Sequence, residues 1–175
     1  NGSDDGSAQQ VSRHLPQARV LALPRNLGFG AANNRGLAQV ATPFALLLNP
    51  DCDMQPQAIA ALLEAARRWP DAAIVAPQLV EAGGGAEVNY RFALTDWPAR
   101  GAGAVGECCV GFVCGAAMLW RMERFTDVGW FDERFFLYYE DDDLCLRLKQ
   151  ARRPMIIAPQ VRARHRSRGS VRVMP

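Results

Sequence analysis

A surplus of one charge is missing from this sequence: 20 basic and 18 acidic residues leave a formal net charge of +2. No broad field of one sign is available to hold nucleic acid, and none is expected as a partner. Long apolar runs are missing too. The longest, residues 111–120, stops at Arg121, well short of the roughly 20 residues that span a bilayer. The five cysteines, Cys52, Cys108, Cys109, Cys114 and Cys145, are odd in number and lack the paired CxxC spacing of a zinc site. With no signal-peptide pattern in view, reduced thiols in a cytoplasmic compartment are the expectation. Neither a Rossmann glycine fingerprint nor a P-loop is found, which disfavours NAD-dependent and ATP-hydrolysing chemistry. There is no internal repeat. The opening Asn1-Gly2-Ser3-Asp4-Asp5-Gly6-Ser7 has no initiator Met and is a polar turn of the kind that follows a strand. The expectation is a start removed upstream.

What is present fits one domain over residues 1–175, since 175 residues that are 49% hydrophobic can bury a single core. Val20-Leu21-Ala22-Leu23, closed by Pro24, and Phe44-Ala45-Leu46-Leu47-Leu48, closed by Asn49-Pro50, predict buried strands. Residues 31–40 predict a helix between them. Pro56 opens a second helical pattern carried by Ile59, Leu62, Leu63 and Ala66 up to Trp69-Pro70. Residues 73–76 predict a third strand, 109–120 one or two more, 122–127 a short helix, 141–151 a longer one, and 155–157 and 161–165 closing strands. Alternation of strands with helices of this length marks an α/β domain with a largely parallel sheet. Residues 81–107 break the pattern as a loop-rich insertion holding Gly83-Gly84-Gly85 and Pro98; it is read either as an acceptor-facing loop or as plain disorder.

Two acidic sites carry the chemistry. Asn49, Asp51 and Asp53 follow the run 44–48, where ligands of open α/β sheets bind. Hard ions such as Mg²⁺ or Mn²⁺ need only one or two carboxylates there besides substrate phosphates. An Asx turn leading into the next helix is the competing explanation. The second site sets Glu140, Asp141, Asp142 and Asp143 behind Phe135, Phe136, Tyr138 and Tyr139. A helix macrodipole compensates one or two such acids, at about 0.3–1 kcal/mol each. Four crowded acids exceed that need and should include one with a raised pKa, suited to a general base. Spacing puts Asp141 on the inner edge with Leu144 and Leu148, and Arg147 in i+4 reach of Asp143.

His165 ends an apparent strand among arginines, where it is expected to be neutral, the form that binds metal; a structural or exposed role is the alternative. His14, in a polar helix-like stretch, receives no functional reading. Arg162, Arg164, Arg166, Arg168 and Arg172 make a basic tail that can meet a phosphate or a membrane surface, or simply be solvated. Gly28 and its neighbours in Asn26-Leu27-Gly28-Phe29-Gly30 are small enough to let a backbone approach a ligand at a helix N-terminus.

Taken in order, these segments resemble the family-2 glycosyltransferases of the GT-A type, in particular the rhamnosyltransferase-like branch. The resemblance is carried by Asn1 to Ser7, by Asn26 to Gly36 with its Asn33-Asn34 pair, and by Leu46-Leu47-Leu48-Asn49-Pro50-Asp51. It continues through Gly115-Ala116-Ala117-Met118-Leu119, Phe131-Asp132-Glu133-Arg134-Phe135-Phe136, Tyr139-Glu140-Asp141 and His165 to Ser170. It implies a three-layer α/β/α domain with a mainly parallel mixed sheet, here lacking its first βα unit. It also implies an inverting, metal-dependent transfer of a sugar from a nucleotide-diphosphate donor, of dTDP-rhamnose or UDP-sugar type, to a hydroxyl of a glycan or lipid-linked acceptor. Such chemistry belongs to cell-surface polysaccharide synthesis, in the cytoplasm or at the inner face of the membrane.

By residue, the resemblance places the donor near Ser3, Asn26, Gly28, Asn34, Asn49 and Asp51. The divalent ion falls to Asp51, with Asp53 beside it in the acidic turn, and His165 completes the metal site. Asp141 is implied as the base and Glu140 as the group orienting acceptor or base. The sequence departs from the family pattern at three places, Trp130, Asp142 and the Arg152-Arg153 pair, which touch acceptor fit and local packing. A nucleotidyltransferase and a non-catalytic nucleotide- or sugar-binding fragment stand as alternatives.

Overall fold

The computed structural model describes residues 1–93 and 103–166. Its strands are β1 (Phe44–Leu48), β2 (Cys52–Asp53), β3 (Ile74–Val80), β4 (Tyr90–Arg91), β5 (Cys108–Val110), β6 (Phe112–Val113), β7 (Ala117–Arg121) and β8 (Met155–His165). Its helices are α1 (Ser7–His14), α2 (Phe29–Leu37), α3 (Pro56–Arg68) and α4 (Glu140–Gln150), with a 3₁₀ turn at Met122–Phe125. The main sheet has the order β1-β7-β3-β8-β2, and β5 pairs with β8.

The sheet is mixed, but mostly antiparallel rather than mainly parallel. Only β3 and β8 run parallel; β7 is antiparallel to both β1 and β3, and β2 and β5 are antiparallel to β8. A parallel pair needs a crossover of a dozen or more residues. The path from β3 to β8 contains α4 and supplies one, whereas β5, β6 and β7 follow one another across residue 111 and residues 114–116 alone. The predicted closing strands 155–157 and 161–165 are one strand. Ala158 opposes Pro77 and Arg162 opposes Gln78, so residues 159–161 form a bulge that accommodates Pro159, which has no N–H to give.

Alternation along the strands builds the layers. Ile74, Met118, Trp120 and Ile157 turn to the face covered by Leu37 of α2 and by Leu144 and Leu148 of α4. Val75, Leu119 and Ile156 turn to the opposite face, under Leu62, Ala65 and Ala66 of α3. The expected three-layer α/β/α arrangement results, and Trp120, stacked 4.1 Å from Phe125, closes the first core.

Residues 20–23 do not form the predicted strand. Among the described residues their one backbone tie to another segment is Gly2 N–H to Leu23 O, at 3.0 Å, and an apolar run becomes a strand only where a neighbour accepts its ladder. The insertion expected over 81–107 lies partly outside the described residues, as do Pro98, Arg168 and Arg172. Its first part turns back at Gly84, in the left-handed region with φ 83°, and β4 then pairs with β6.

At the far end of α4 the residues that depart from the family pattern make a Schellman turn. Arg152 N–H donates to Lys149 O and Arg153 N–H to Leu148 O, at 3.0 and 2.8 Å, with Arg152 at φ 55°. Left-handed backbone costs a side chain-bearing residue about 1 kcal/mol. Arg152→Gly is therefore expected to stabilise the protein by about 0.5–1 kcal/mol in urea unfolding; a loss of stability would mean that the Arg152 side chain contributes more than its backbone costs.

Candidate active site

The carboxyl ends of β1 and β8, the start of β7 and the N-terminus of α4 meet at one end of the sheet. They enclose a cleft of ≈ 240 Å³ lined by Asn49, Asp51, Gly115, Glu140, Asp141 and His165, with Phe29, Leu137 and Tyr138 on its apolar wall. The two acidic sites, 89 residues apart in the chain by subtraction of 51 from 140, thus face a common space.

Asp51 sits in the turn after β1. That turn is tied down by Asn49 N–H to Ala116 O and Cys52 N–H to Asn49 O, both 2.9 Å, and by Arg166 N–H to Asp51 O, also 2.9 Å. Across β2 and β8, Cys52 opposes His165 directly. Asp51 Oδ2 lies 3.6 Å from His165 Nε2, while Oδ1 is buried with no hydrogen-bond partner among the described residues. A buried carboxylate oxygen left without a donor is costly. A divalent cation would satisfy it. Asp51 and His165 therefore suit such an ion, and the Cys52 thiol is the third group of this cluster, all three ligand atoms lying within 4.8 Å of one another. Burial pushes that thiol up to about 12, so the donors ready for a hard ion are the carboxylate and the imidazole. Asp53, expected beside them, is exposed and paired in register with Arg164; strand geometry carries it away from the cluster. The imidazole is faced by Asp51 and by Glu87, whose Oε2 is 2.8 Å from Nδ1, and not by the arginines that flank it in sequence.

Glu140 and Asp141 open α4 after two consecutive residues in the left-handed region, Tyr138 at φ 66° and Tyr139 at φ 67°. Side chain-bearing residues held there are strained, and such strain collects at functional turns. Burial raises the pKa of both acids. For Asp141 the Gly115 N–H, 3.1 Å from Oδ2, opposes burial, while the neighbouring Asp142 charge adds to it. Glu140 is 5% exposed, and its Oε2 has no partner among the described residues. The other two acids have structural partners. Asp142 is bonded by Arg91, a buried guanidinium lying 3.8 Å over the Phe112 ring. Asp143 takes the expected i+4 bond from Arg147, which also donates to Val128 O and Trp130 O and so ties the loop before the helix.

Three expected donor contacts have other work in this structure. Asn34 is buried: its amide nitrogen donates to Phe131 O and Glu133 Oε1, and its oxygen accepts from Phe131 N, at 2.9, 3.2 and 3.2 Å. Its amide nitrogen and oxygen are both engaged by the 131–133 loop. Gly28, at φ 88°, admits backbone, but the backbone it admits is Phe136: a Cβ there would lie 2.4 Å from Phe136 O. Asn26 accepts from Asn1 Nδ2 and Gly28 N–H at 2.9 Å each, locking a turn outside the cleft. Ser3 is exposed and has no side-chain hydrogen bond among the described residues. Asn49 does line the cleft. Glu87 and Arg91 were not foreseen, since both lie in the stretch whose glycines mark it only as loop.

The layered sheet, with acids at its carboxyl ends, defines a nucleotide-diphospho-sugar transferase fold of the GT-A type. The solved structure of GalNAc-T7 with UDP, GalNAc and Mn²⁺ superposes with a TM-score of 0.71 at 12% identity, covering 94% of this chain and 35% of that one. The family model for glycosyl transferase family 2 matches residues 1–125, and the chain belongs to that family. A relative from Mycobacterium tuberculosis, N-acetylglucosaminyl-diphospho-decaprenol L-rhamnosyltransferase, is 32% identical over 94% of this chain. The pre-mycofactocin glycosyltransferase of the same organism is 33% identical over 85%. The chain spans 64% and 33% of the lengths of these two relatives.

Proposed function

We propose that residues 1–175 are a catalytic domain that transfers a sugar, with inversion, from a nucleotide-diphosphate donor to a hydroxyl of a glycan or lipid-linked acceptor. The observation that carries this reading is the meeting of Asp51 and His165 with Glu140 and Asp141 in one cleft. Family membership leaves the nucleotidyltransferase alternative without support.

In this reading Asp141 accepts the acceptor hydroxyl proton on a carboxylate oxygen as the hydroxyl oxygen bonds to the sugar C1. The bond from C1 to the diphosphate oxygen breaks on the opposite face, which inverts the centre. The raised pKa of Asp141 makes it a stronger base than an exposed aspartate. Glu140, buried beside it, orients the acceptor. Asp51 and His165 would hold Mg²⁺ or Mn²⁺, which supplies charge neutralisation for the leaving diphosphate. Asn49, which lines the same cleft, would contact the donor.

The relative, named as a rhamnosyltransferase acting on a diphospho-decaprenol, supports an activated rhamnose as donor and a lipid-linked acceptor; within that reading the donor proposed is dTDP-rhamnose or a UDP-sugar. Beside the cleft, Phe136, Leu137, Tyr138 and Tyr139 are 54%, 36%, 58% and 70% exposed, an apolar approach suited to such an acceptor. The described part of the 81–107 stretch reaches the cleft through Glu87, whose carboxylate is hydrogen-bonded to His165. No helix among the described residues is long and apolar enough to cross a membrane; a place in the cytoplasm, at the inner face of the membrane, is part of the proposed reading.

Binding of dTDP-rhamnose and UDP-glucose, measured by calorimetry with and without Mn²⁺, tests the reading. At least one donor is expected to bind about tenfold or more tightly with the ion. Binding indifferent to Mn²⁺, with no transfer or donor hydrolysis, would leave a sugar- or nucleotide-binding fragment instead.

A further inference from the structure

We propose that Glu87 is a positioning residue that fixes the tautomer and ring orientation of His165 as a cation ligand; this rests on the metal-assisted reading above. The two nitrogens of the imidazole meet different partners. Nδ1 is 2.8 Å from Glu87 Oε2, a direct hydrogen bond. An ionised carboxylate only accepts, so Nδ1 must carry the proton. In the neutral ring, the form that binds a metal, Nε2 then carries the lone pair, on the side where Asp51 Oδ2 lies at 3.6 Å. That separation is too long for a hydrogen bond. It suits two donor atoms of one ion, which at about 2.1 Å from the metal stand roughly 3 Å or more apart.

Glu87 is itself held in place. Its N–H donates to Leu79 O at 2.9 Å and its carbonyl accepts from Gln78 Nε2 at 2.8 Å, so both sides of its peptide backbone are bound to β3. The turn before it is closed by Glu81 N–H to Gly85 O at 2.9 Å, and an isolated bridge joins Val80 to Ala86. Gln78 is also bound by the buried Asn89, whose own amide donates to Pro77 O at 2.8 Å. An exposed ion pair would need none of this anchoring. Here the side chains of His165 and Glu87 are 15% and 25% exposed, and the carboxylate reaches the ring from a rigid extension of the strand parallel to the one that ends in His165. The arrangement is that of a carboxylate–histidine–metal relay, in which the outer carboxylate orients the ligand and raises its basicity.

The test titrates Mn²⁺, with UDP and separately with dTDP at saturation, into wild type, Glu87→Ala and Glu87→Gln, following free Mn²⁺ by electron paramagnetic resonance. Nitrogen NMR of the histidine ring reads the tautomer in parallel. Glu87→Ala is expected to weaken Mn²⁺ binding about 10–100-fold and to release His165 from the Nδ1–H tautomer. Glu87→Gln, whose carbonyl still accepts from Nδ1, should recover most of that loss and keep the tautomer. Wild type that binds no Mn²⁺ would remove the metal-assisted reading and this inference with it. Wild type that binds Mn²⁺ with Glu87→Ala binding equally well, or a His165 protonated on Nε2, would overturn the role of Glu87 alone.

Discussion

Replacement of Asp141 by asparagine is expected to lower turnover by about 10²–10⁴-fold, the usual contribution of a positioned base, while leaving Mn²⁺ and donor binding within about a factor of three. Asparagine keeps the shape and the oxygen that accepts the Gly115 N–H, gives up the Oδ1 that accepts from Asp142 N–H at 3.1 Å, and cannot take a proton. Asp141 enters the cleft from the N-terminus of α4, whereas Asp51 and His165 come from the turn after β1 and the end of β8, so in the proposed reading the loss should fall on kcat. Turnover of the wild type should fall as pH drops through the raised pKa of Asp141. If the variant kept more than about a tenth of wild-type turnover, the base would have to be sought elsewhere in the cleft.

The same substitution has a signature in stability. A carboxyl group whose folded-state pKa is raised by burial favours the protonated form when folded, so its stabilisation is complete below the unfolded value and lost as pH rises through the folded one. For Asp141 that loss begins near the ordinary value of 3.8 and runs upward. Carboxylates held low by arginines, such as Asp132 at about 2, act in the opposite sense at lower pH. The difference in stability between wild type and Asp141→Asn isolates the one group. Wild type should lose ground to the variant as pH rises from about 4 through the raised folded-state value, and the difference should level off above it. A constant difference would mean that burial costs the Asp141 charge nothing.

Much of this site can be read from the chain because its residues lie where local rules are strong. The run 44–48 closed by Asn49-Pro50 becomes β1 and its ligand-bearing turn, and Pro56 begins α3 at its N-terminus. Four acids before an apolar helical face become the first turn of α4, with Asp141 on the inner edge. Partners distant in sequence are what local rules miss. Nothing in the pattern of residues 117–121 says that they insert antiparallel between β1 and β3, and nothing in residues 20–23 says that no strand accepts them. The amide of Asn34 could serve a ligand as well as its own 131–133 loop; tertiary contact decides. Asp142 is legible as one of four crowded acids and as a departure from the family pattern, but not as the partner of Arg91, which comes from a stretch whose composition reads as loop. Glu87 was hidden for the same reason.

Asp51→Ala should separate a cation site from a structural ion pair. In a structural pair, Asp51 and His165 would close on each other, and loss of one would destabilise the fold. The structure shows a 3.6 Å gap and a second, buried carboxylate oxygen with no partner among the described residues. Removing such a group relieves a desolvation cost and sacrifices no hydrogen bond of the side chain. The variant is therefore expected to melt at or slightly above the wild-type temperature without metal. The contrast appears on adding Mn²⁺. An ion at a hundred times its Kd stabilises the folded state by about 2.7 kcal/mol, which in a chain of this size raises Tm by about 5–10 °C. Wild type with saturating UDP should show that rise, and Asp51→Ala should lose nearly all of it, with affinity reduced by more than about 100-fold. An equal rise in both proteins would place the ion at other residues, and a lower metal-free Tm in the variant would make Asp51 a partner of the fold.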